Sequence, residues 1–289
     1  MLIKNACDGM HSSLDVRFGK ACDNNCSFCI ERHGIDSLGA IDVDAMIKNT
    51  IASGIKDVLI LGGEPFLNIN KLLEYVSGIR RHVNKIYITT SLPSTMFCTV
   101  KNMSITSQIM RQIDGLNVSL QSTDSSENNR ILNASSNHDR IDMLKILNFI
   151  NPYIIRVSIN LVKNGIDTKD KLISALTKLE NIGCKHIKIN ELQNEPSLYV
   201  SYEEIMDTKM RSPYSGGCQL DVKIKGIKAR LTLKRSCFLV EETRRAGFFD
   251  LLKALYKKYL YSPKNRFMVM YENGMTADGW LKKGDTDVN

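Results

Sequence analysis

No apolar run in this 289-residue chain reaches the ~18 residues that a membrane-spanning helix needs, so no membrane span is expected. The stretch 1–10 has no signal-peptide core. Prolines number only six and no segment is of low complexity, which argues against long disordered linkers. Eight cysteines without a secretory signal point to a reducing cytoplasm and to thiols that bind metal rather than pair as disulfides. Hydrophobic residues make up 43% and charged residues 24%, the balance of a soluble globular protein with room for one large α/β domain or two modest ones. Acidic residues are scarce in one place. From Cys218 to Arg266, 13 Lys and Arg face 4 Asp and Glu, a local net of +9 against +8 for the whole chain. Such a block suits an anionic partner, a phosphate or a nucleic acid, or is a solvated basic face.

Short β-branched runs alternate with longer amphipathic ones. Strands are expected over 14–18, 56–63, 85–91, 115–122, 153–162 and 184–192, and helices over 43–53, 69–83, near 103–112, 140–150 and 168–183. Gly54 reads as a helix stop, and Asn137 or Asp139 as a helix cap. Six β-then-α units spaced by about 30 residues imply parallel strands with right-handed crossovers. Six units are too few for a closed eight-stranded barrel, so the expected fold is α/β, a partial (β/α)6 barrel over 1–192. In such folds chemistry gathers at the C-terminal strand ends. There lie the cysteine loop, Gly62 to Pro65, Thr90, Ser91, Ser119, Gln121, Asn160 and Glu191. Over 193–289 the pattern changes to a C-terminal α+β extension expected to close the open side of the barrel. Its hairpin over 220–234 alternates apolar residues with Lys223, Lys225, Lys228, Arg230 and Lys234 around a Lys225-Gly226 turn. A helix near 243–261 and a strand over 266–271 with an Asn273-Gly274 turn follow.

"CDNNCSFC" (22–29) holds three cysteines, Cys22, Cys26 and Cys29. Structural zinc sites usually take four ligands and disulfides take cysteines in pairs, so three is an odd number for either. Zinc with a distant fourth ligand, or three unrelated thiols, are the readings that composition alone leaves open.

The Cys-x3-Cys-x2-Cys spacing, with Phe28 before the third cysteine, resembles the signature of the radical SAM superfamily. The resemblance accounts for the count. Three thiolates on a [4Fe–4S] cluster leave one iron open, and in the family the amino and carboxylate groups of S-adenosylmethionine (SAM) chelate it. "LILGGEPFL" (59–67) resembles the family's GGE motif. There Gly62 and Gly63 would let backbone approach the cofactor and Glu64 would bind the methionine amino group. "SLQ" (119–121) is similar to the fourth-strand segment that contacts ribose or carboxylate, which brings in Ser119 and Gln121. "TTS" (89–91) resembles the end of the third strand and brings in Thr90. Arg156 and Asn160 share a strand face, and Arg156 is a candidate for the methionine carboxylate or for a salt bridge to a neighbouring helix. Ile189 to Glu191 are similar to the family's sixth-strand segment near the adenine. The resemblance covers 14–192.

It implies an external low-potential electron donor of flavodoxin or ferredoxin type, reductive cleavage of SAM, and a 5′-deoxyadenosyl radical that takes hydrogen from an unactivated C–H bond. Cys7, Cys98 and Cys184 read as small core hydrophobes. Cys218 and Cys237 resemble the first pair of an auxiliary-cluster extension, but no cysteine follows Cys237, so a single cluster is expected. Cys237 is a candidate hydrogen donor to a substrate radical. The broad likeness to relatives of molybdenum-cofactor GTP cyclase stops short of its chemistry. Asp15 and Leu59 stand where nucleotide-binding arginines would, and the C-terminal cysteine triplet and Gly-Gly tail are absent. The first cysteine at 22 leaves no place for an N-terminal cobalamin domain.

The leading reading is therefore an enzyme acting on a small anionic metabolite, nucleotide-like or phosphorylated, with Lys223, Lys225, Lys228 and Arg230 and the pair Lys257-Lys258 as its anion site. The alternatives are a peptide-modifying enzyme, an RNA- or DNA-modifying one lacking a separate nucleic-acid-binding domain, and a non-catalytic iron–sulfur or zinc protein.

Overall fold

The computed structural model describes residues 11–192, 195–208, 219–236 and 266–283. Six β-then-α repeats run from β1 (His11–Arg17) through α1 (Val43–Ser53), β2 (Asp57–Leu61), α2 (Ile69–Ile79), β3 (Lys85–Thr90), α3 (Val100–Met110) and β4 (Gly115–Leu120). They continue through α4 (Ser125–Leu132), α5 (Arg140–Ile150), β5 (Ile155–Leu161), α6 (Lys169–Asn181) and β6 (His186–Glu191). A short α7 (Tyr202–Met206), then β7 (Gln219–Val222), β8 (Arg230–Lys234), β9 (Arg266–Met270) and β10 (Thr276–Ala277) follow. The helices begin where short polar side chains can take the first free amides. Asp42, Thr99, Asp124, Asp139 and Thr168 each accept a backbone N–H from the first turn of α1, α3, α4, α5 and α6.

Strands β1 to β6 lie side by side and parallel, in sequence order. Their residues alternate between two environments. Val157, Ile159 and Leu161 on β5 and Ile187 and Ile189 on β6 are buried in the core with Leu172, Leu176 and Leu179 of α6. The intervening Arg156, Ser158, Asn160, His186, Lys188 and Asn190 are only half-buried and form the opposite, concave face.

The extension adds strands to the sheet. β8 joins β6 in parallel and carries β7 as its antiparallel partner, while β9 joins β1 in parallel and carries β10. The resulting ten-stranded sheet has β10 at one end and β7 at the other. Among the described residues this segment lengthens both edges, because an open parallel sheet offers unpaired backbone on each side. The Lys225-Gly226 and Asn273-Gly274 turns form, with Gly226 and Gly274 at positive φ. The helix expected near 243–261 lies outside the described residues, as do Lys257 and Lys258, and Cys7, Cys218 and Cys237. Cys184 is buried as expected, but Cys98 is exposed just before α3 and donates to the Thr95 carbonyl. No described helix is long and apolar enough to cross a membrane.

Candidate active site

The chain leaves β1 at Arg17 and enters the cysteine loop beside the end of β2. Two backbone bonds join these segments, Gly63 N to Gly19 O at 2.9 Å and Glu64 N to Ala21 O at 2.8 Å. Here the glycines have a definite role. A Cβ on Gly62 would sit 2.7 Å from Gly19 O, and one on Gly63 would collide with Ala21 O. Gly62 also has φ +122°, outside the range of ordinary residues. The Gly-Gly step thus lets two loops meet backbone to backbone, which seats the cysteines over the strand ends.

On its other side the loop is tied to the α4–α5 connection. Asn25 N donates to Leu132 O at 3.0 Å, and Ser135 N to Asp23 O at 2.8 Å. Beneath lies Arg140, the first residue of α5 and fully buried. Its guanidinium donates to Ser91 O at 2.8 Å, to Asn24 Oδ1 at 3.0 Å and to Asn129 Oδ1, and pairs with Asp23 at 3.7 Å.

Cys22, Cys26 and Cys29 line one cavity of about 330 Å³ together with Phe28, Gly62, Gly63, Glu64, Thr90, Ser91, Ser119, Gln121, Asn160, Asn190 and Lys234. That volume is near the lower end of the ~300–1,000 Å³ of small-molecule sites. Burial pushes the Cys22 thiol up to about 11, and burial together with the Cys29 and Cys22 sulfurs pushes Cys26 up to about 12. Burial also raises Cys29. Such thiols stay protonated at neutral pH unless a metal takes the place of the proton. Among the described residues no group of three or more His, Cys, Asp and Glu side chains is placed to hold a single ion. The sulfurs are arrayed around the cavity, one ligand per iron being what a cluster requires. The residues fit a [4Fe–4S] cluster.

Glu64 is buried, and each of its oxygens has two donors. Oε1 accepts from Phe66 N at 3.2 Å and Thr90 Oγ1 at 2.8 Å, and Oε2 from Ser91 N at 2.7 Å and Ser91 Oγ at 2.8 Å. Burial raises its pKa to about 7 against the pull of these bonds. Gln121 Oε1 faces Asn160 N at 3.4 Å, and Asn190 Nδ2 donates to Ser158 Oγ at 2.8 Å and Asn160 Oδ1 at 3.2 Å.

Most residues expected at the cofactor meet in this cavity, but two do not. Arg156 lies at the start of β5, four residues below Asn160 and roughly 13 Å from it at ~3.3 Å per residue, and its Nε reaches His186 instead. Ile189 points into the helix-side core because of strand alternation, and its neighbour Asn190 faces the cavity. The hairpin residues also fall elsewhere. Lys223, Lys225 and Lys228 sit about the turn before β8 and Arg230 opens that strand beside His186, at the far end from the cavity. Arg230 is exposed and pairs with Asp221 at 3.2 Å. Only Lys234, at the other end of β8, reaches the site. Cys237 lies outside the described residues. Sequence reasoning did not single out Asn24, Arg140 or Lys234 as site residues, and an arginine at a helix start carries no sign of burial. Asn190 and Glu191, in the segment expected near the adenine, do line the cavity.

The comparisons with known proteins bear on this arrangement directly. The model of the radical SAM superfamily matches residues 16–162, just over half of the chain. The protein belongs to the radical SAM superfamily. Its cofactors are accordingly a [4Fe–4S] cluster and SAM. A curated relative, the GTP 3′,8-cyclase of Lactiplantibacillus plantarum, is 23% identical over 217 residues, which cover 70% of this chain and 62% of the relative. Among solved structures, Streptococcus suis SuiB superposes with a TM-score of 0.61 at 16% identity, over 94% of this chain and 60% of SuiB. The same protein is also solved bound to SAM, with a TM-score of 0.60. A radical SAM methyltransferase from Sphaerobacter thermophilus gives 0.53 at 14% identity, over 78% of this chain and 66% of that one. The chain thus spans about 60% of the length of the first relatives it matches. At these identities the structural likenesses speak for the fold.

Proposed function

We propose that this protein is a radical SAM enzyme that abstracts hydrogen from a small-molecule substrate. One observation carries the reading: the three cysteine thiols share a single cavity with Gly62 to Glu64 and with the polar ends of β3 to β6. With its cofactors bound, and fed electrons by a donor of flavodoxin or ferredoxin type, the site gains the radical chemistry of reductive SAM cleavage. Cys22, Cys26 and Cys29 would hold the cluster. Glu64, fixed by Thr90 and Ser91, presents a carboxylate to the cavity for an amino group. Ser119, Gln121, Asn160 and Asn190 offer hydroxyl and amide groups to ribose, base or carboxylate. Phe28 and Leu192 supply apolar wall, which limits water at the reacting centre.

The anionic character of the substrate was argued from the hairpin, and that argument loses its place once Lys223, Lys225, Lys228 and Arg230 are found away from the cavity. We propose that the segment over 193–289 still serves the substrate, through Lys234. The test is anaerobic reconstitution, which should give about four iron and four sulfide per chain, followed by reduction in the presence of SAM. Release of 5′-deoxyadenosine, abolished when Cys22, Cys26 and Cys29 are replaced by Ala, supports the reading. Iron near eight per chain would sink the single-cluster assignment, and no 5′-deoxyadenosine under any reductant would sink the activity. Deuterium transfer into 5′-deoxyadenosine from labelled candidates would then identify the substrate.

A further inference from the structure

Below the cofactor cavity, the concave face of the sheet carries a ladder of cations. Asn160 and Asn190 both line the cavity. Strand alternation therefore puts Ser158 and Arg156 beneath Asn160, and Lys188 and His186 beneath Asn190, and the Asn190–Ser158 hydrogen bond shows that these residues share a face. β8 runs in register alongside, with Lys234 beside Asn190 and Thr232 beside Lys188. Three rungs result: Lys234 at the cavity, Lys188 one step deeper, and Arg156 with His186 at the bottom, each ~6.6 Å from the next.

We infer that Lys234, Lys188 and Arg156 form an anion subsite that takes a phosphate or diphosphate group of the substrate while its reacting carbon lies in the cavity above. This rests on the cavity being the cofactor site, and it moves the anion site from the hairpin turn to the concave face.

The three cations sit close enough to act on one another. Burial, then Lys234, then Arg156 pull the Lys188 ammonium down to about 8. None of the ion pairs among the described residues involves Lys188, Lys234 or Arg156. The acidic groups facing them are Asp15 on β1, which feels Lys234, and Asp221 on β7, which lies beside Thr232, acts on His186 and pairs with Arg230. Burial raises Asp15 to about 6, although a hydrogen bond from Trp280 and Lys234 both favour its charged form. Arg156 is aimed by its neighbour. Its Nε donates to His186 Nδ1 at 3.3 Å, and His186 Nε2 lies 3.2 Å from Thr232 Oγ1. Burial, then Arg156 and Arg230, hold that imidazole neutral by lowering it to about 4, so it accepts from the guanidinium rather than repelling it. The terminal nitrogens of Arg156 have no hydrogen-bond partner among the described residues, which leaves its planar fork free for a phosphoryl group. Lys234 and Arg156 both oppose the charge on Lys188, and an anion held beside it relieves that repulsion.

The experiment titrates inorganic pyrophosphate into the full-length protein by calorimetry, and separately measures SAM affinity and substrate-free 5′-deoxyadenosine release. Lys188→Met and Arg156→Met should each weaken pyrophosphate binding roughly tenfold or more while leaving SAM affinity and uncoupled cleavage unchanged. Lys225→Glu combined with Lys228→Glu, at the hairpin turn, should leave pyrophosphate binding unchanged. Three results would overturn the subsite: no pyrophosphate binding by the wild type, loss of binding only in the hairpin variant, or a tenfold loss of SAM affinity in Lys188→Met with pyrophosphate unaffected. The last would hand the cations to the methionine carboxylate. A wild type that binds pyrophosphate but never cleaves SAM would refute the proposed function and leave the subsite standing.

Discussion

Glu64 and Arg140 bear most of the local order at the site. Glu64 lines the cofactor cavity, and its two oxygens also hold the exit of β3 through Thr90 and Ser91 and the turn after β2 through Phe66. An amide in its place turns an NH2 toward one pair of donors. Glu64→Gln should therefore cost ~1–3 kcal/mol in urea unfolding of the cofactor-free protein, beyond any loss of SAM affinity. Its titration has a definite sign. The folded pKa of about 7 lies above the ordinary glutamate value of 4.5, so the folded form binds more protons, and this group's contribution falls as pH rises from about 4.5 to about 7. The stability gap between wild type and Glu64→Gln should drift across that window, and a gap independent of pH would contradict the assignment. Arg140 joins Asp23 and Asn24 of the cysteine loop to Ser91 after β3 and Asn129 of α4. Arg140→Met leaves Asp23 without its buried partner and should destabilise the protein by ~3–5 kcal/mol. Arg140→Lys keeps the charge without the planar fork and should fold better yet retain less iron after gel filtration. Equal iron retention by wild type and Arg140→Lys would remove its role in shaping the loop.

At the scale of elements, much of the architecture could be read in advance. The helix expected over 43–53 forms as Val43–Ser53 and that over 140–150 as Arg140–Ile150, because apolar period and cap agree there. Two helices were missed. α4 has a polar sequence, SSENNRIL, and α7 is only five residues long, so neither shows a long apolar stripe. Of the segment Ile189 to Glu191 expected near the adenine, Asn190 and Glu191 line the cavity while the Ile189 side chain packs in the core, because β6 alternates and an apolar residue among polar ones does not reveal which face meets the ligand. The Gly-Gly step was read as room for a cofactor, and the structure shows that it also makes room for another loop. Gly63→Ala tests the difference. Its Cβ would push Ala21 away and break the bonds that pin the cysteine loop to β2. The expected result is loss of iron–sulfur absorption after reconstitution, with far-ultraviolet circular dichroism unchanged, because the strands do not depend on that contact. A variant with full iron and weakened SAM binding alone would restore the original reading.

The molecule as a whole is held together by contacts that no local pattern announces. Strand order at the sheet edges depends on which unpaired backbone the extension meets, and the alternation in 220–234 is compatible with either edge. One buried pair joins the distant parts. Arg17, at the end of β1, donates Nε and Nη2 to Glu272 at 2.9 and 3.0 Å, stacks 4.5 Å above the Tyr271 ring, and reaches the Ile35 and Asp36 carbonyls. Glu272 also accepts from Ser37 Oγ and Leu38 N, both at 2.8 Å. The β9–β10 end of the sheet, the segment after the cysteine loop and β1 are thereby fastened at one point, 255 residues apart in sequence. Glu272→Ala strands a fully buried guanidinium and should cost ~3–5 kcal/mol at neutral pH. Burial opposes ionisation of Glu272, but the bonds from Arg17, Ser37 and Leu38 outweigh it and hold its pKa below the ordinary glutamate value of 4.5. A depressed folded pKa contributes stability that is present above the unfolded pKa and is lost as pH falls through the folded one. The difference between wild type and Glu272→Ala in urea unfolding should accordingly be constant from pH 6 to 8 and shrink once the pH drops below about 4.5. Hydrogen exchange should report the loss first in β9 and β10, the strands at the sheet edge that this corner braces against β1. A difference of the same size at pH 7 and at pH 3.5 would mean that the variant acts through packing rather than through the charge.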